Sequence, residues 1–296
     1  MTIPVHEAER IATGASADTA GVVPTADSTP PRRVFLVVLG IAIGAYSTLC
    51  GIGGGVFAVP LLHYVYGMSL RAAVANSLVF VSASTMSATL LEMLHEDSAL
   101  RLDLVVMLVI GSSVGSLLGF ALGKRIGTVV LKAVFAVILI GVAIHIFLAD
   151  DAAEAFATGT SDFHATAGLL LQVVGIGFLS GVVAPLLGIG GGLVAVPALL
   201  ALTPGPGFLM ARACSMAMSV VTSGHSVWLY MREGQIRWKS SAWLAVGAVV
   251  GAAIGIQLIH VESVTHAARG LVAFALAFAG ARFAWDLVVR KRRTAP

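Results

Sequence analysis

Charge is what this sequence has least of. Only 11% of its 296 residues are charged, against 58% hydrophobic, and the mean hydropathy is +0.96. A soluble domain carries roughly 25% charged residues, so the composition excludes a soluble globule and points to the lipid bilayer as solvent. The formal net charge of +3 gives no support to a nucleic-acid partner, and the basic residues read as topology signals instead. Cysteine is nearly absent. Cys50 and Cys214 have no metal or redox spacing, so they read as free thiols among helices. There is no Walker A loop, no metal-ligand cluster and no nucleophile–base spacing. The sequence therefore suggests neither an enzyme nor a cofactor or metal site.

The first 31 residues also lack something. They are polar and rich in Ala, Thr, Asp and Pro, with no apolar stretch ahead of a small-residue cleavage site, so they do not read as a signal peptide. Too poor in large apolar residues to fold alone, 1–31 is expected to be a disordered cytoplasmic tail.

Glycine, by contrast, is abundant where a membrane helix should not have it. Gly51-Ile52-Gly53-Gly54-Gly55 is followed by Val56-Phe57-Ala58-Val59-Pro60. The pattern returns 137 residues later as Gly188-Ile189-Gly190-Gly191-Gly192, with Pro197 matching Pro60. Each glycine costs about 1 kcal/mol in a helix relative to alanine, yet both copies sit in strongly apolar sequence. A glycine-rich break repeated once per half is a pointer to a transporter's binding site. Val34 to Cys50 is 17 residues, about 25 Å as a helix, short of a ~30 Å hydrocarbon core. With Val56 to Tyr66 it reads as a broken or re-entrant hairpin. Full spans are expected over 72–94, 103–122 and 128–148. In the second half Ala167 to Leu187, with a kink or end at Pro185, leads to the break, followed by spans over 211–231, 241–259 and 270–288.

The rest of the repeat agrees. Gly111, Gly115 and Gly119 match Gly247, Gly251 and Gly255 at offset 136, and Ser77, Ser84 and Thr85 match Ser215, Thr222 and Ser223 at offset 138. The organisation that follows is a tail over 1–31, a first transmembrane repeat over 32–148, an extracytoplasmic linker over 149–165, a second repeat over 166–289 and a basic cytoplasmic tail over 290–296. The linker is acidic, with Asp150, Asp151, Glu154 and Asp162. Arg32, Arg33, Lys124, Arg125, Arg232, Arg237, Lys239 and the C-terminal cluster should be cytoplasmic. That leaves outside only Arg101, Arg212 and Arg269, 3 of 18 basic residues. Each half crosses an odd number of times, so the fold class is an all-α integral membrane bundle of two inverted repeats. Each repeat is a broken hairpin plus three transmembrane helices, and both termini are cytoplasmic.

The chemistry legible here is anion binding. Helix starts at Gly54-Gly55 and Gly191-Gly192 leave N–H groups without intrahelical partners and present partial positive charge. Glycine lets a ligand approach the backbone. The alternative is that these glycines merely permit close packing. For the series at 111–119 and 247–255, spaced by four, packing is the reading. A hydroxyl stripe adds Ser77, Ser84 and Thr85 on one helix and Ser215, Ser219, Thr222, Ser223 and Ser226 on another. These either line a substrate path or bond back to their own helices. Asn76 is the strongest side-chain donor on the first of them. His225 lies inside a span, placed for proton coupling or as a satisfied core histidine. No span interior shows a clear unpaired carboxylate, so a carboxylate proton relay is not indicated. Trp228, Trp238 and Trp243 read as an interface belt.

The paired glycine breaks with their prolines, the segment Arg212-Ala213-Cys214-Ser215-Met216 and the long repeat resemble the TauE/SafE sulfite exporter family, also called the toluene sulfonate uptake permease group, over residues 34–288. The resemblance implies a secondary transporter in the bacterial cytoplasmic membrane that moves small sulfur-containing anions such as sulfite and sulfoacetate, usually outward. It places the family's signature on Gly51, Gly53, Gly54, Gly55 and Pro60, and on Gly188, Gly190, Gly191, Gly192 and Pro197. Asn76-Ser77-Leu78 stands where many members have Thr-Ser-Leu, and Cys214-Ser215-Met216 departs further. The expected substrate-binding set is thus the eight break glycines with Asn76, Ser77, Ser215 and Thr222. An uncoupled anion conduit, a carrier of another organic anion, and a membrane enzyme using a reactive thiol are the rival readings.

Overall fold

The computed structural model describes residues 33–96, 98–125, 167–203 and 207–259, with isolated positions at 140, 144 and between 270 and 285. The expected linker, both tails and nearly all of the spans over 128–148 and 270–288 lie outside the described residues. No strand occurs among the described residues. Eight helices do: α1 (Arg33–Cys50), α2 (Gly55–Pro60), α3 (Leu70–Leu94), α4 (Leu102–Arg125), α5 (Ala167–Leu187), α6 (Gly192–Leu202), α7 (Phe208–Arg232) and α8 (Trp238–Ile259). Pro60 has no N–H to continue the ladder, and α2 gives way there to a π-helical turn over Leu61–Val65. Pro185 does not end its helix, which runs on to Leu187. Five helices, α1, α3, α4, α5 and α8, are long and apolar enough to cross a membrane; α7 is as long as α3 but more polar.

The glycines spaced by four set the helix pairs. A Cβ on Gly111, Gly115 or Gly119 of α4 would lie 2.1–2.2 Å from the carbonyl oxygens of Val174, Phe178 and Val182 on α5. On Gly247 and Gly251 of α8 it would lie 2.2 Å from those of Val37 and Ile41 on α1, and on Gly255 2.7 Å from that of Ala45. No side chain fits such gaps, so the backbones touch. The packing reading of these glycines stands. Each half lends its glycine helix to the other half's leading helix, and the two exchanges are equivalent: Val37, Ile41 and Ala45 precede Val174, Phe178 and Val182 by 137 positions. The opposite face of α4 carries Val106, Ile110, Val114 and Leu117, all exposed, an apolar stripe suited to lipid.

Equivalent helices α3 and α7 cross antiparallel, as an inverted repeat requires. Tyr230 clusters with Val74, Ala75 and Leu78, while Met216 clusters with Ala88 near the other end. The glycine breaks meet the middle of this pair. A Cβ on Gly53 or Gly54 would touch Val81 and Phe80 of α3, and one on Gly191 would touch Met218 of α7. Past the first break the chain returns toward the start of α3, where Leu62 packs with Ala72 and Ala73. Past the second, Leu199 packs with Met210 and Ala211 at the start of α7. Both hairpins therefore turn back at the breaks, and they do so toward opposite ends of the α3–α7 pair.

One end of the bundle gathers cations and aromatics. Glu233 lies 2.5 Å from Lys124 and 3.6 Å from Arg71, while the guanidinium carbons of Arg33 and Arg232 stand 5.5 Å and 4.8 Å over Trp243 and Trp228. This groups the start of α1, the start of α3 and the ends of α4 and α7 on the side that the charge pattern assigns to the cytoplasm.

Candidate functional site

Each break is built from three left-handed glycines. Gly51, Gly53 and Gly54 have φ of 72°, 74° and 78°, and Gly188, Gly190 and Gly191 have 75°, 80° and 92°. An L-residue with a Cβ adopts this region at a cost of about 1–2 kcal/mol, so the triplets explain themselves by conformation first. Gly51 closes α1 in a Schellman turn, with Ile52 N–H on the Ser47 carbonyl (3.1 Å) and Gly51 N–H on that of Thr48 (3.3 Å). Gly54 then opens α2 by taking the N–H groups of Phe57 and Ala58 on its carbonyl, as Gly191 does for Val194 and Ala195.

The two breaks lie directly against each other. A Cβ on Gly55 would fall 2.0 Å from the Gly188 oxygen, and one on Gly192 would fall 2.6 Å from the Gly51 oxygen. The serines cross in the same way. The Ser77 hydroxyl lies 2.9 Å from the Gly188 carbonyl and 2.8 Å from that of Val74, and the Ser215 hydroxyl lies 3.0 Å from the Gly51 carbonyl and 2.9 Å from that of Arg212, so each single proton is shared between the opposite break and its own helix. Each half thus closes the other half's break. Ser77→Ala and Ser215→Ala are each expected to cost about 1 kcal/mol, because a buried carbonyl loses its donor. Unfolding of the detergent-solubilised protein, singly and together, checks this; two neutral substitutions would remove the serines from the structural account.

Asn76 is occupied differently. Its Nδ2 donates to the carbonyls of Ala72 (2.6 Å) and Gln235 (3.4 Å), and its Oδ1 accepts from Arg237 N–H (2.8 Å) and from the Ser241 hydroxyl. It fastens the α7–α8 turn to α3. Thr222 Oγ1 lies 2.9 Å from Ser112 Oγ and 3.0 Å from the Met218 carbonyl, tying α7 to α4. Thr85, Ser223 and Ser226 bond back to their own helices. Most of the stripe is therefore back-bonded, as the plainer alternative held. Ser180 and Ser219 differ, since their buried hydroxyls have no partner among the described residues. They flank the second break: a Cβ on Gly190 would lie 3.9 Å from Ser219 Cβ, and one on Gly191 would lie 3.1 Å from the Ser180 carbonyl. Ser47 and Ser84, 3.4 Å apart, flank the first.

One expectation needs correction: the charge pattern leaves Arg212 outside, at the outer end of its helix. Arg212 is instead fully buried in α7, and its Nη2 lies 2.5 Å from Oε2 of Glu92, itself 2% exposed, on α3. The guanidinium also reaches the Thr48 carbonyl at 3.5 Å, and its Cγ lies 2.7 Å from where a Cβ on Gly51 would stand. The pair abuts the first break. Either residue alone reads as an ordinary helix-end charge. The signal that would have joined them is the antiparallel register of α3 and α7, in which the pairing of Ala88 with Met216 carries on to Glu92 and Arg212.

Other candidates are accounted for. His225 Nδ1 lies 2.8 Å from Ser116 Oγ, and its ring stacks on Trp228 with centroids 6.1 Å apart. Cys50 and Cys214 are free and buried. No group of three or more His, Cys, Asp or Glu positioned for a metal ion occurs among the described residues.

The family model described as sulfite exporter TauE/SafE matches residues 11–146 and 173–296. The chain belongs to the TauE/SafE sulfite exporter family. Among its relatives, the probable membrane transporter protein YunE of Bacillus subtilis (strain 168) is 28% identical over 250 residues, covering 76% of this chain and 88% of YunE. The probable membrane transporter protein MamO of Paramagnetospirillum magneticum is 34% identical over 121 residues, covering 39% of this chain but only 19% of MamO. No solved structure matches. This TauE/SafE chain is accordingly a multi-pass membrane protein of the transporter type. The crossed glycine breaks are the feature around which its two repeats are assembled.

Proposed function

We propose that this TauE/SafE protein is a secondary transporter that exports small sulfur-containing anions, sulfite and sulfonates such as sulfoacetate, across the bacterial cytoplasmic membrane by alternating access. The anion sits where the two breaks cross, against Gly53–Gly55 and Gly190–Gly192. The observation that carries this reading is the reciprocal closure of the breaks, Ser77 on Gly188 and Ser215 on Gly51. Two equivalent contacts of nearly equal length are what a pair of alternately opening hairpins needs, because neither closure then dominates. The helix starts bring N–H groups and partial positive charge to the same place, and the Ser180 and Ser219 hydroxyls, without a partner among the described residues, add donors beside the second. Asn76 serves as a fastening and Thr222 as part of the support for α7.

Energetics restrict the cargo. A helix start contributes about 0.3–1 kcal/mol to anion binding, or ~2 when buried. Stripping an ion of water costs several kcal/mol. Helix starts and hydroxyls alone do not offset the desolvation of a dianion, so the site prefers monoanions. Counterflow in proteoliposomes with sulfite, thiosulfate, sulfonates and carboxylates tests both points. Sulfonates and sulfite are expected to exchange, and sulfite to slow as rising pH makes it doubly charged. Exchange confined to carboxylates would make this a carrier of other organic anions, and unsaturable conductance would make it a channel. A sulfite rate that rises with its second charge would contradict the monoanion preference.

A further inference from the structure

The buried pair between α3 and α7 has polar atoms left over. Arg212 Nε, Glu92 Oε1 and Thr48 Oγ1 are each buried without a hydrogen-bond partner among the described residues, as is Thr89 Oγ1 one turn before Glu92. Buried polar groups are ordinarily satisfied, and an ion pair kept only for cohesion would be expected to use both edges of the guanidinium and both carboxylate oxygens. Here the Arg212 fork is engaged by one carboxylate oxygen at 2.5 Å and by a distant carbonyl at 3.5 Å. Among the described residues, one guanidinium N–H and one carboxylate oxygen of the pair are therefore left without partners, beside the end of α1 and against the first glycine break.

We propose that Glu92 and Arg212 form the proton-coupling centre of the transporter, at which an oxyanion replaces the Glu92 carboxylate on Arg212 while Glu92 takes a proton. The proposal rests on the anion-carrier reading above. In the anion-free state the pair is neutral. When a monoanion with sulfonate-type oxygens enters, it accepts from Arg212 Nε and Nη2 in the two-point geometry that guanidinium favours. A buried carboxylate beside that anion would be a second negative charge on one guanidinium. Glu92 instead binds a proton at Oε1, drawn from the aqueous phase on the side from which the anion enters. The O–H bond breaks on the other side, when the anion leaves and the carboxylate reclaims Arg212. One proton and one monoanion move together, and the buried charge stays zero throughout. This supplies the cation that helix starts and hydroxyls lack.

The other titratable groups near Glu92 are few. Cys214 on α7 lies within electrostatic reach of it, Tyr46 and Cys50 lie on the last turns of α1, and His95 and Glu96 follow it at the end of α3. Arg101 and Asp103, at the start of α4, pair with each other at 2.9 Å, and Cys214 is within electrostatic reach of both. The described parts of α5 and α8 bring no ionisable side chain to this end.

Methanesulfonate is the probe, because its charge stays constant across about pH 5–9. The full-length protein in detergent is expected to take up close to one proton per methanesulfonate bound. Its affinity should weaken by up to tenfold per pH unit wherever Glu92 is ionised in the anion-free protein. Glu92→Gln is expected to bind with no proton uptake and no pH slope. Binding by the wild type without proton uptake overturns the proposal, even if the variant does not fold, and so does a wild-type slope in Glu92→Gln. If the wild type exchanges sulfite in liposomes but never binds methanesulfonate, the centre is wrong and the carrier reading survives. Absence of both removes the two together.

Discussion

Replacing Arg212 by glutamine is expected to cost about 3–5 kcal/mol of folding stability, because it strands the Glu92 carboxylate in the core without its counter-ion. The magnitude follows from burial: Arg212 is fully inaccessible, and Glu92 is 2% exposed. Water cannot compensate at either partner. Removing both charges should behave differently. Glu92→Leu combined with Arg212→Met replaces the pair by apolar groups of similar volume, which is often neutral or stabilising. The double variant is expected to regain most of the lost stability while losing anion binding. Unfolding of the three proteins in detergent gives the comparison, and an Arg212→Gln variant as stable as wild type would mean that the pair is not closed in the membrane protein.

The second large effect is at the crossing itself, where the glycines differ in what a single methyl group meets. Gly55 has ordinary helical geometry, yet its Cβ would lie 2.0 Å from the Gly188 oxygen. Backbone cannot swing aside as a side chain can. Gly55→Ala must part the two breaks, at a cost of about 3 kcal/mol or more. Gly192→Ala, 2.6 Å from the Gly51 oxygen, should cost somewhat less. Gly191→Ala meets nothing closer than 3.1 Å, one neighbour being the flexible Met218 side chain, and carries φ of 92°. Its cost is the left-handed backbone, about 1–2 kcal/mol. Thermal unfolding should rank Gly55→Ala lowest, then Gly192→Ala, then Gly191→Ala. The reverse order would show that conformational strain, not contact between the breaks, sets the need for glycine.

What was legible beforehand follows from how local each determinant is. The breaks could be read because left-handed backbone demands glycine residue by residue, and the glycine series on α4 and α8 because a spacing of four fixes one helix face. Helix ends shifted by one to three residues, as at Phe208 for an expected 211. Ser77 and Ser215 stood out as equivalent positions, but their partners, the carbonyls of Gly188 and Gly51, belong to the opposite half and become visible only once the halves cross. Asn76 shows the limit of residue type as a guide. It is the strongest donor on α3, and the turn at Gln235–Arg237 uses it up. Thr85, Ser223 and Ser226 look like a polar path and bond back to their own helices. The pairing of Glu92 with Arg212 is not legible because each lies close to a helix end, where a charge needs no explanation, and only antiparallel register brings them together.

The two levels of the account share a physical theme. The membrane core of this TauE/SafE protein carries few charges, so in the proposed mechanism recognition of an anion falls to backbone dipoles, hydroxyls and one neutralised arginine. Close glycine contacts hold the repeats together without side chains in between. The same contacts bring the Arg212–Glu92 pair against the first break, where the proposal links protonation to anion entry.

The central claim is that cargo passes where the breaks cross, and counterflow of sulfite through Gly191→Leu tests it most directly. Wild type and variant are reconstituted at matched density, with insertion and monodispersity verified. Wild type is expected to show saturable exchange stimulated by sulfite on the opposite side. Gly191→Leu, which places a branched side chain between Ser180 and Met218 at the start of α6, is expected to insert and to exchange nothing. Exchange by the variant at the wild-type rate would contradict the account and place the path away from the glycine breaks.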